Sequence, residues 1–376
     1  MALSAGLALG FAGLGAVPGH RPAARSSPPL RVLAGLPDDP GYAGSQAHYL
    51  GALNLPAAWD RTTGSDSVVA AVLDTGVDPV HPDLIGHLVP GRNVVADNDD
   101  TTDDIGHGTK MAGILGAVTN NGLGVAGVAW SVRIMPVKVT GPSGTAYDAS
   151  VAAGIRWAVD HHARVVNLSL GAPGDDDVLG RAVDYATAHD VLVVAAAGNN
   201  NSDVPEFPAA CRGVVAVGAT DASGNRAPFS NSGPWVDVNA PGVDIFTTKL
   251  GGGYTHTTGT SAATALVAGV AVLLRSADPF AAQGDIADRL RRSALGRGPV
   301  GRAGIDASGV VDAAAALRLP GRRAPSGPTR AGYLMIADQG KVDSFGDLPD
   351  RGDVWGDLLR ARAVAVESRP PGDGYW

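Results

Sequence analysis

Residues 67–76, Ser-Val-Val-Ala-Ala-Val-Leu-Asp-Thr-Gly, are the stretch that most directly decides the fold. They open with a short apolar run, which is typical of a strand buried on both faces of a parallel sheet. Asp74 follows at the point where this strand ends. In open α/β sheets, ligand-binding side chains gather at the carboxyl ends of the strands, so we expect Asp74 at the functional edge of the sheet.

Strands and helices alternate along the chain beyond this segment. The sequence predicts further strands over residues 132–139, 165–170, 191–196 and 214–218, and helices over residues 108–118, 147–161, 177–189 and 260–275. This alternation predicts a three-layer α/β fold, in which a mostly parallel central sheet is covered by helices on both faces.

The composition argues against some classes of protein. The 376 residues are 45% hydrophobic and 18% charged, which is typical of a chain with a large folded core. The net charge of −8 argues against a general nucleic-acid-binding protein, because phosphate contacts need clustered Lys and Arg. The single cysteine, Cys211, cannot form a disulfide within the chain, so the cysteine count does not decide the compartment.

The N-terminal residues 1–17 carry no charged side chain and are mostly apolar. This run is shorter than the roughly 20 residues that a membrane-spanning helix needs. It resembles the apolar segment of a secretory signal peptide, although the usual basic residue before that segment is missing. We therefore expect a secreted, extracellular protein without an integral membrane span, in which residues 1–36 are a leader and a flexible lead-in.

The C-terminal region differs in character from the main domain predicted over residues 37–319. A Pro- and Arg-rich linker is predicted over residues 320–331. Gly332-Tyr333-Leu334 and Gly374-Tyr375-Trp376 then resemble the starts of repeats in wall-associated and secreted actinobacterial proteins. Because one repeat cannot bury its own apolar face, we interpret residues 332–376 as part of a repeat array that could contact a cell wall or surface. A coincidental aromatic-glycine tail is the alternative.

Three further motifs carry side chains suited to catalysis. His107 stands between two glycines at the start of a predicted helix, and its ring can exchange a proton near neutral pH. Ser261 opens another helix, whose N-terminus stabilises negative charge, and Asn199 offers a neutral N–H donor for an oxyanion. Each motif also has an ordinary explanation. Asp74 could belong to a plain turn or an aspartic-protease motif, His107 could be structural, and Ser261 could cap its helix.

The chain order Asp74, His107, Asn199, Ser261 resembles that of the subtilisin-like serine proteases, most closely the thermitase branch. The resemblance covers roughly residues 38–318 and rests on Asp74-Thr75-Gly76-Val77-Asp78, His81-Pro82-Asp83-Leu84, Gly106-His107-Gly108-Thr109, Asn167-Leu168-Ser169-Leu170-Gly171, Ala197-Gly198-Asn199, Phe207-Pro208-Ala209, Ala240-Pro241-Gly242 and Gly259-Thr260-Ser261. It implies a serine endopeptidase in which Asp74 orients His107 and His107 activates Ser261. Asn199 would help to hold the oxyanion.

The same resemblance implies how a protein or peptide substrate binds. The segment Ser169-Leu170-Gly171 would pair with the substrate backbone as an added strand. Ala196, Gly198 and Phe207 would line the pocket for the residue before the cut. An apolar pocket would give broad specificity, with a preference for large apolar or aromatic residues at that position.

A structural calcium site is also implied, because residues 118–125 resemble the calcium loop of thermitase. Calcium binds roughly six to eight oxygen atoms from carboxylates, amides and carbonyls. Side-chain oxygens would come from Asp39, Asp83 and Asn121, and main-chain carbonyls from Val118, Leu123 and Val125. A glycine-rich turn without metal is the alternative. The acidic residues 97–104 could hold a second ion, but a solvated loop is the interpretation that we prefer.

The chain departs from the family pattern in two helices. Lys110 stands where a histidine is usual, and its charge could lower the basicity of His107. Ala265 and Leu266 replace a usual proline and histidine, but alanine is a good helix former, so the helix should still form. These departures keep open a non-catalytic protease-fold module for binding or wall attachment. A third alternative is a precursor-processing protease with acidic subsites for basic residues, for which the acidic loop at 97–104 is the one sign.

Overall fold

The computed structural model describes residues 35–174, 177–294 and 309–320, together with the backbone of two short strands, Gly332–Ile336 and Val342–Gly346. The predicted leader, most of the linker, and the repeat region apart from these two strands lie outside the described residues. The domain boundaries stay predictions. The two short strands pair antiparallel, with Tyr333 opposite Phe345.

The strands are β1 Gly64–Asp74, β2 Arg92–Asn93, β3 Ser131–Lys138, β4 Val165–Leu168, β5 Leu192–Ala196, β6 Val214–Thr220, β7 Val238–Pro241, β8 Ile245–Lys249, β9 Gly253–Thr257, β10 Gly332–Ile336 and β11 Val342–Gly346. The α-helices are α1 Ala47–Ala52, α2 Leu55–Trp59, α3 His107–Gly116, α4 Asp148–Asp160, α5 Asp177–Ala188, α6 Thr260–Ala277, α7 Gln283–Ala294 and α8 Ala313–Arg318. A short π-helix, Tyr42–Gln46, precedes α1.

The central sheet has seven strands in the order β2-β3-β1-β4-β5-β6-β7, and every neighbouring pair is parallel. This confirms the predicted α/β fold. Strand β1 lies between β3 and β4, so the order reverses beside it. Such a reversal opens a crevice at the carboxyl ends of the strands. Asp74 ends β1 opposite Lys138 of β3, and therefore lies at the edge where the sequence analysis expected it.

Helices cover both faces of the sheet, as predicted, and β1 shows why. Ala70 and Val72 pack in one core cluster with residues of α3 and α6, whereas Ala71 and Leu73 pack in a second cluster with residues of α4 and α5. Successive side chains of a strand point to opposite faces. A continuous apolar run therefore needs apolar partners on both sides, and the helices supply them.

Helix α6 crosses the core below the sheet, and every residue from Ala262 to Arg275 is buried. By length and composition alone, it is the one described helix that could cross a membrane, but 83% of its apolar window is buried inside the fold. That burial identifies α6 as a core helix. Ala265 is fully buried within it, so the helix forms without the usual proline, as expected.

Several elements had no clear signal in the sequence. The antiparallel pair β8–β9 is rich in threonine and glycine, and its strands lack the alternation of apolar and polar residues that marks a half-buried strand. The predicted elements differ from those of the structure mainly at their ends. The strand predicted over residues 165–170, for example, ends at Leu168, since Ser169 and Leu170 have already left the sheet.

Candidate active site

Asp74 and His107 are hydrogen-bonded at the carboxyl edge of the sheet. Asp74 ends β1 and His107 begins α3, and Nδ1 of His107 lies 2.7 Å from Oδ1 of Asp74. Because a carboxylate only accepts hydrogen bonds, the ring donates through Nδ1, and Nε2 is the basic nitrogen of the neutral ring. The His107 side chain is 32% exposed and that of Asp74 is 2% exposed. The imidazole can therefore meet a substrate while its carboxylate partner stays away from water.

Glycines on both sides of His107 allow this contact. Gly106 has a φ of 91°, a left-handed conformation that glycine adopts without steric cost. The N–H of Gly108 donates to Oγ1 of Thr75 at 2.9 Å. A Cβ added to Gly108 would collide with the backbone of Gly76. The start of α3 therefore touches the turn after β1, and only glycine fits between them.

Asp103 fixes the same turn, and the sequence analysis gave it no role of its own. Its Oδ1 accepts hydrogen bonds from Thr75 Oγ1 and the Gly106 N–H, both at 2.7 Å. Its Oδ2 accepts from the N–H and the hydroxyl of Thr109, at 2.9 and 2.6 Å. Burial is the largest single effect on the pKa of Asp103, and it raises that pKa. The hydrogen bonds together outweigh burial, so the pKa of Asp103 lies below its ordinary value. Asp103 therefore stays ionised near His107. The position of Asp103 three residues before the Gly106-His107-Gly108 motif was the one feature of the sequence that could have indicated this role.

The pKa of His107 is raised above its ordinary value, mainly by the negative charge of Asp74. Burial lowers the pKa of the ring, and so does the positive charge of Lys110, while Asp103 raises it. Lys110 lies one turn further along α3, where residues three apart are neighbours on the helix surface. The expectation that Lys110 lowers the basicity of His107 agrees with this direction, but the carboxylates outweigh it.

Ser261 is the second residue of α6 and lies next to the predicted substrate-binding segment. Its Oγ donates a hydrogen bond to the main-chain oxygen of Ser169 at 2.9 Å, and Oγ of Ser169 donates to the main-chain oxygen of Ser261 at 3.0 Å. Among the described contacts, no hydrogen bond joins Ser261 to His107. Catalytic hydrogen bonds are often absent or long before substrate binds. A rotation about the Cα–Cβ bond would release Oγ from Ser169.

Asn199 is anchored at the start of the same helix. Its Oδ1 accepts from the N–H of Thr260 at 2.8 Å and from Oγ1 of Thr260 at 3.0 Å. These bonds fix the orientation of the amide, and Nδ2 has no hydrogen-bond partner among the described residues. Asn199 is exposed. The amide that carries this unused N–H donor is therefore bonded to Thr260, the first residue of α6.

The predicted substrate-binding residues lie together. Ala196 ends β5, and Gly198 follows it with a φ of 104°. Phe207 bonds through its main chain to Ala172, which directly follows Gly171. A cavity of about 170 Å³ is lined by residues that include Leu170, Gly171 and Phe207.

Glu206 also lies among these residues, and the sequence analysis missed it. A Cβ added to Gly198 would collide with Oε2 of Glu206, and one added to Gly171 would lie 3.5 Å from the same oxygen. Glu206 precedes the Phe207-Pro208-Ala209 motif directly, which was the only signal in the sequence. A carboxylate therefore lies between two glycines that were predicted to bind substrate.

The predicted calcium ligands are also close to one another. Oδ1 of Asp83 accepts from Nδ2 of Asn121 and Oδ2 of Asp83 accepts from the Val125 N–H, both at 3.0 Å. The main-chain oxygen of Asp83 accepts from the Val118 N–H at 2.8 Å. Oδ1 of Asn121 accepts from the Leu123 N–H at 2.8 Å.

Asp39 reaches the same loop from the N-terminal side. Its carboxylate accepts from the N–H of Asn120 at 3.0 Å and from that of Asn121 at 3.4 Å. Burial raises the pKa of Asp39. Asp39 and Asp83 are both buried, and within the described residues neither forms an ion pair. Two buried carboxylates that reach the same loop and bond there to N–H groups supply hard oxygen donors of the kind that calcium prefers.

The acidic stretch at residues 97–104 is held by basic side chains. Arg92 pairs with Asp97 and Asp99, and Lys138 pairs with Asp104. Asp97 and Asp99 are largely exposed. These contacts favour the preferred interpretation of a solvated loop.

Comparison with known proteins identifies the class. A profile of the subtilase family matches residues 65–329. The chain therefore belongs to the subtilase family and is a subtilisin-like serine protease, as the fold and the Asp74–His107 pair led us to expect.

Individual relatives agree with this assignment. Subtilisin Savinase of Lederbergia lenta is 41% identical over 266 residues, which cover 71% of this chain and 96% of that protein. Thermitase of Thermoactinomyces vulgaris is 44% identical over 241 residues, which cover 64% of this chain and 85% of thermitase. A solved protease structure from Pseudoalteromonas arctica PAMC 21717 superposes with a TM-score of 0.70 and 34% identity, covering 75% of this chain and 99% of that chain.

Proposed function

We propose that this protein is a secreted serine endopeptidase in which Asp74, His107 and Ser261 form the catalytic triad. The hydrogen bond of 2.7 Å between Nδ1 of His107 and Oδ1 of Asp74 is the observation that carries the proposal. It leaves Nε2 as the proton acceptor of a ring that is 32% exposed. Asn199 and the N-terminus of α6 supply the donors that the chemistry needs beside it.

The reaction would proceed in two steps. Ser261 Oγ attacks the carbonyl carbon of the scissile peptide bond while Nε2 of His107 takes its proton, and Asp74 stabilises the imidazolium that forms. His107 then returns the proton to the leaving amine, which departs from an acyl-enzyme. Water, deprotonated by His107, hydrolyses the acyl-enzyme and restores Ser261.

The oxyanion of each tetrahedral intermediate would be held by two N–H groups. One is Nδ2 of Asn199, whose amide is anchored through Oδ1 to Thr260. The other is the main-chain N–H of Ser261 in the first turn of α6. Donors that are fixed before the reaction stabilise the negative charge without a cost of reorganisation.

Protein or peptide substrates would bind in an extended conformation along Ser169-Leu170-Gly171. The residue before the cut would enter the pocket formed by Ala196, Gly198 and Phe207. From the sequence alone, the expected specificity is broad, with apolar residues before the cut, and the partly exposed ring of Phe207 would contact the side chain at that position.

A structural calcium ion would be held by the oxygens of Asp39, Asp83 and Asn121, with the carbonyls of Val118, Leu123 and Val125. The ion would supply a positive charge to two buried carboxylates that form no ion pair among the described residues. It would also tie the segment before α1 to the loop at residues 118–125.

Export and a surface role for the C-terminal repeat complete the proposal. They are supported by the uncharged apolar run at residues 1–17 and by the Gly-Tyr motifs of residues 332–376.

Hydrolysis of a denatured protein such as casein tests the proposal. The full chain should release peptides, and Ser261→Ala should release none, while the matched control Ser143→Ala, a substitution at an exposed serine, should match the unmodified protein. A folded protein without activity would favour the alternative of a non-catalytic binding or wall-attachment module.

A further inference from the structure

Glu206 occupies an unusual position for a charged side chain. It is buried, with 4% of its surface exposed. Its Oε2 would collide with a Cβ on Gly198, and it would lie 3.5 Å from a Cβ on Gly171. Gly198 follows β5, and Gly171 follows β4. The carboxylate therefore lies between the two segments that form the walls of the proposed substrate pocket, where both walls lack side chains.

The two oxygens of Glu206 differ in their partners. Oε1 accepts hydrogen bonds from Nδ2 of Asn200 at 2.8 Å and from Nδ2 of Asn231 at 2.9 Å. Nδ2 of Asn231 also donates to the main-chain oxygen of Ala197 at 2.9 Å, so the carboxylate is tied to the wall that carries Gly198. Oε2 accepts no hydrogen bond from the described residues.

Oε2 is nevertheless accessible. Some described side-chain oxygens and nitrogens are fully enclosed and lack a hydrogen-bond partner, but Oε2 is not one of them. Because it has no partner, part of its surface must be exposed. No lysine, arginine or histidine among the described residues lies within ion-pair distance of Glu206, so its charge has no internal cation. A buried carboxylate held on one side, with its other oxygen open, is suited to bind a positively charged group from outside.

The pocket can contact both the apolar stem and the charged end of a lysine or arginine side chain. The methylene groups of lysine or arginine can lie against the partly exposed ring of Phe207, while the charged end reaches Oε2. A large apolar side chain would instead strip water from Oε2 without replacing its hydrogen bonds, which is costly. An acidic side chain would meet a like charge.

We propose that Glu206 makes this pocket select substrates with lysine or arginine immediately before the cut. This inference rests on the proposed function, because it names the substrate class of the same cleft. Since Oε1 is already bound by two amides, the single open oxygen fits the compact ammonium of lysine better than the two-pronged guanidinium of arginine. The ring of Phe207 thus holds the stem of the side chain, and the carboxylate selects its charged end.

A series of peptide p-nitroanilides, identical except for Lys, Arg, Phe, Leu or Glu before the scissile bond, tests this inference on the full chain. We expect kcat/KM for the Lys substrate to exceed that for the Phe substrate by about tenfold or more, the scale of one charge-assisted hydrogen bond. In Glu206→Gln, which keeps the shape and removes the charge, the Lys substrate should lose about tenfold or more and the Phe substrate should lose nothing. Equal losses for both substrates would contradict a role in specificity.

A second measurement needs no variant. n-Butylamine should inhibit cleavage of the Lys substrate competitively, whereas n-butanol, of similar size and without charge, should not. A preference of the unmodified protein for Phe over Lys would overturn the inference, even if Glu206→Gln does not fold. Absence of cleavage of every substrate would instead overturn the proposed function, and this inference with it.

Discussion

Asp74 keeps one carboxylate oxygen, Oδ2, buried and without a hydrogen-bond partner among the described residues, while Oδ1 accepts from His107 and from the Thr75 N–H. A buried carboxylate with spare acceptor capacity favours a positive charge beside it. The geometry is therefore suited to stabilise the imidazolium that forms when His107 accepts a proton.

Asp74→Asn tests this role. The amide leaves the size of the side chain unchanged but can donate to Nδ1, which would favour the wrong tautomer of His107, so kcat should fall by about 10⁴-fold. Steady-state kinetics with a peptide substrate would measure the change. Circular dichroism would confirm that the variant is folded. A loss of less than tenfold would show that Asp74 does not position the base.

The charges around His107 determine how the activity depends on pH. The neutral form of His107 is the base, so kcat/KM is lost as the pH falls through the raised pKa of the ring. Three charged groups set this pKa: Asp74 and Asp103 raise it and Lys110 lowers it. Lys110→Gln removes the lowering charge, so the pKa should rise and the acid limb of the profile should move to higher pH.

Lys110→Arg is the matched control for this shift, because it keeps the charge and should keep the acid limb in place. Profiles of kcat/KM against pH for the three proteins would decide. An acid limb that moves to lower pH in Lys110→Gln would contradict the account.

Individual residues also show what the sequence can and cannot predict. Asp74, His107, Asn199 and Ser261 stand in local motifs, and the order of those motifs was enough to propose their roles. Glu206 stands next to a motif, Phe207-Pro208-Ala209, but that motif does not predict a role for the carboxylate. Its place in the pocket depends on Nδ2 of Asn231, a residue distant in the chain, and such a contact leaves no local pattern.

At the scale of elements, the crossing of α3 and α6 depends on a close approach at Gly269. A Cβ there would meet Cβ of Val128 at 2.5 Å and the main-chain oxygen of Leu115 at 3.0 Å. Both neighbours are buried, and Leu115 lies in α3, so neither can yield without moving backbone. Glycine is therefore required by packing, even though it is a poor helix former.

Gly269→Ala should consequently destabilise the protein by about 1–3 kcal/mol, the usual cost of overpacking a core. Gly284→Ala in α7 is the control, because nothing lies within 4 Å of the added Cβ. It should stabilise the protein by up to about 1 kcal/mol through helix propensity. Urea unfolding of both variants in the Ser261→Ala background, which avoids self-digestion, would measure the two effects. A stabilising Gly269→Ala would refute the close approach.

Strands β1, β3, β4, β5 and β6 and helices α3 to α6 were predictable because their patterns are local, whereas β7 and α7 were missed. The run at residues 67–73 identified β1, and the apolar small-residue stretch identified α6. The pair β8–β9 was not predictable from an apolar pattern. Its buried residues Thr247 and Thr248 are polar, and their hydroxyls donate hydrogen bonds to main-chain oxygens of α3. A buried threonine strand looks polar in the sequence.

At the scale of the whole molecule, the proposed calcium loop joins distant parts of the chain. Asp39 precedes the first helices, Asp83 follows β1, and residues 118–125 follow α3. An ion bound only by the folded state stabilises it by mass action, by about 2.7 kcal/mol when the free ion is at 100 times its dissociation constant.

Chelation should therefore lower the melting temperature of the Ser261→Ala protein by roughly 5–10 °C, given about 2–4 °C per kcal/mol for a domain of this size. Added calcium should restore it, and added magnesium, which prefers fewer and closer ligands, should not. Asp83→Asn should melt at the same temperature with and without calcium. Differential scanning calorimetry would show this. An unchanged melting temperature on chelation would leave the loop as a plain glycine-rich turn.

The most direct measurement is labelling of the full chain with a fluorophosphonate, followed by peptide mass spectrometry to find the modified residue. Such probes react with a serine only when its hydroxyl is activated by a neighbouring base. We expect one modification, on Ser261, that disappears in Ser261→Ala and weakens strongly in Asp74→Asn. A folded protein that takes up no label, or takes it up on another serine, would contradict the assignment of Ser261 as the nucleophile.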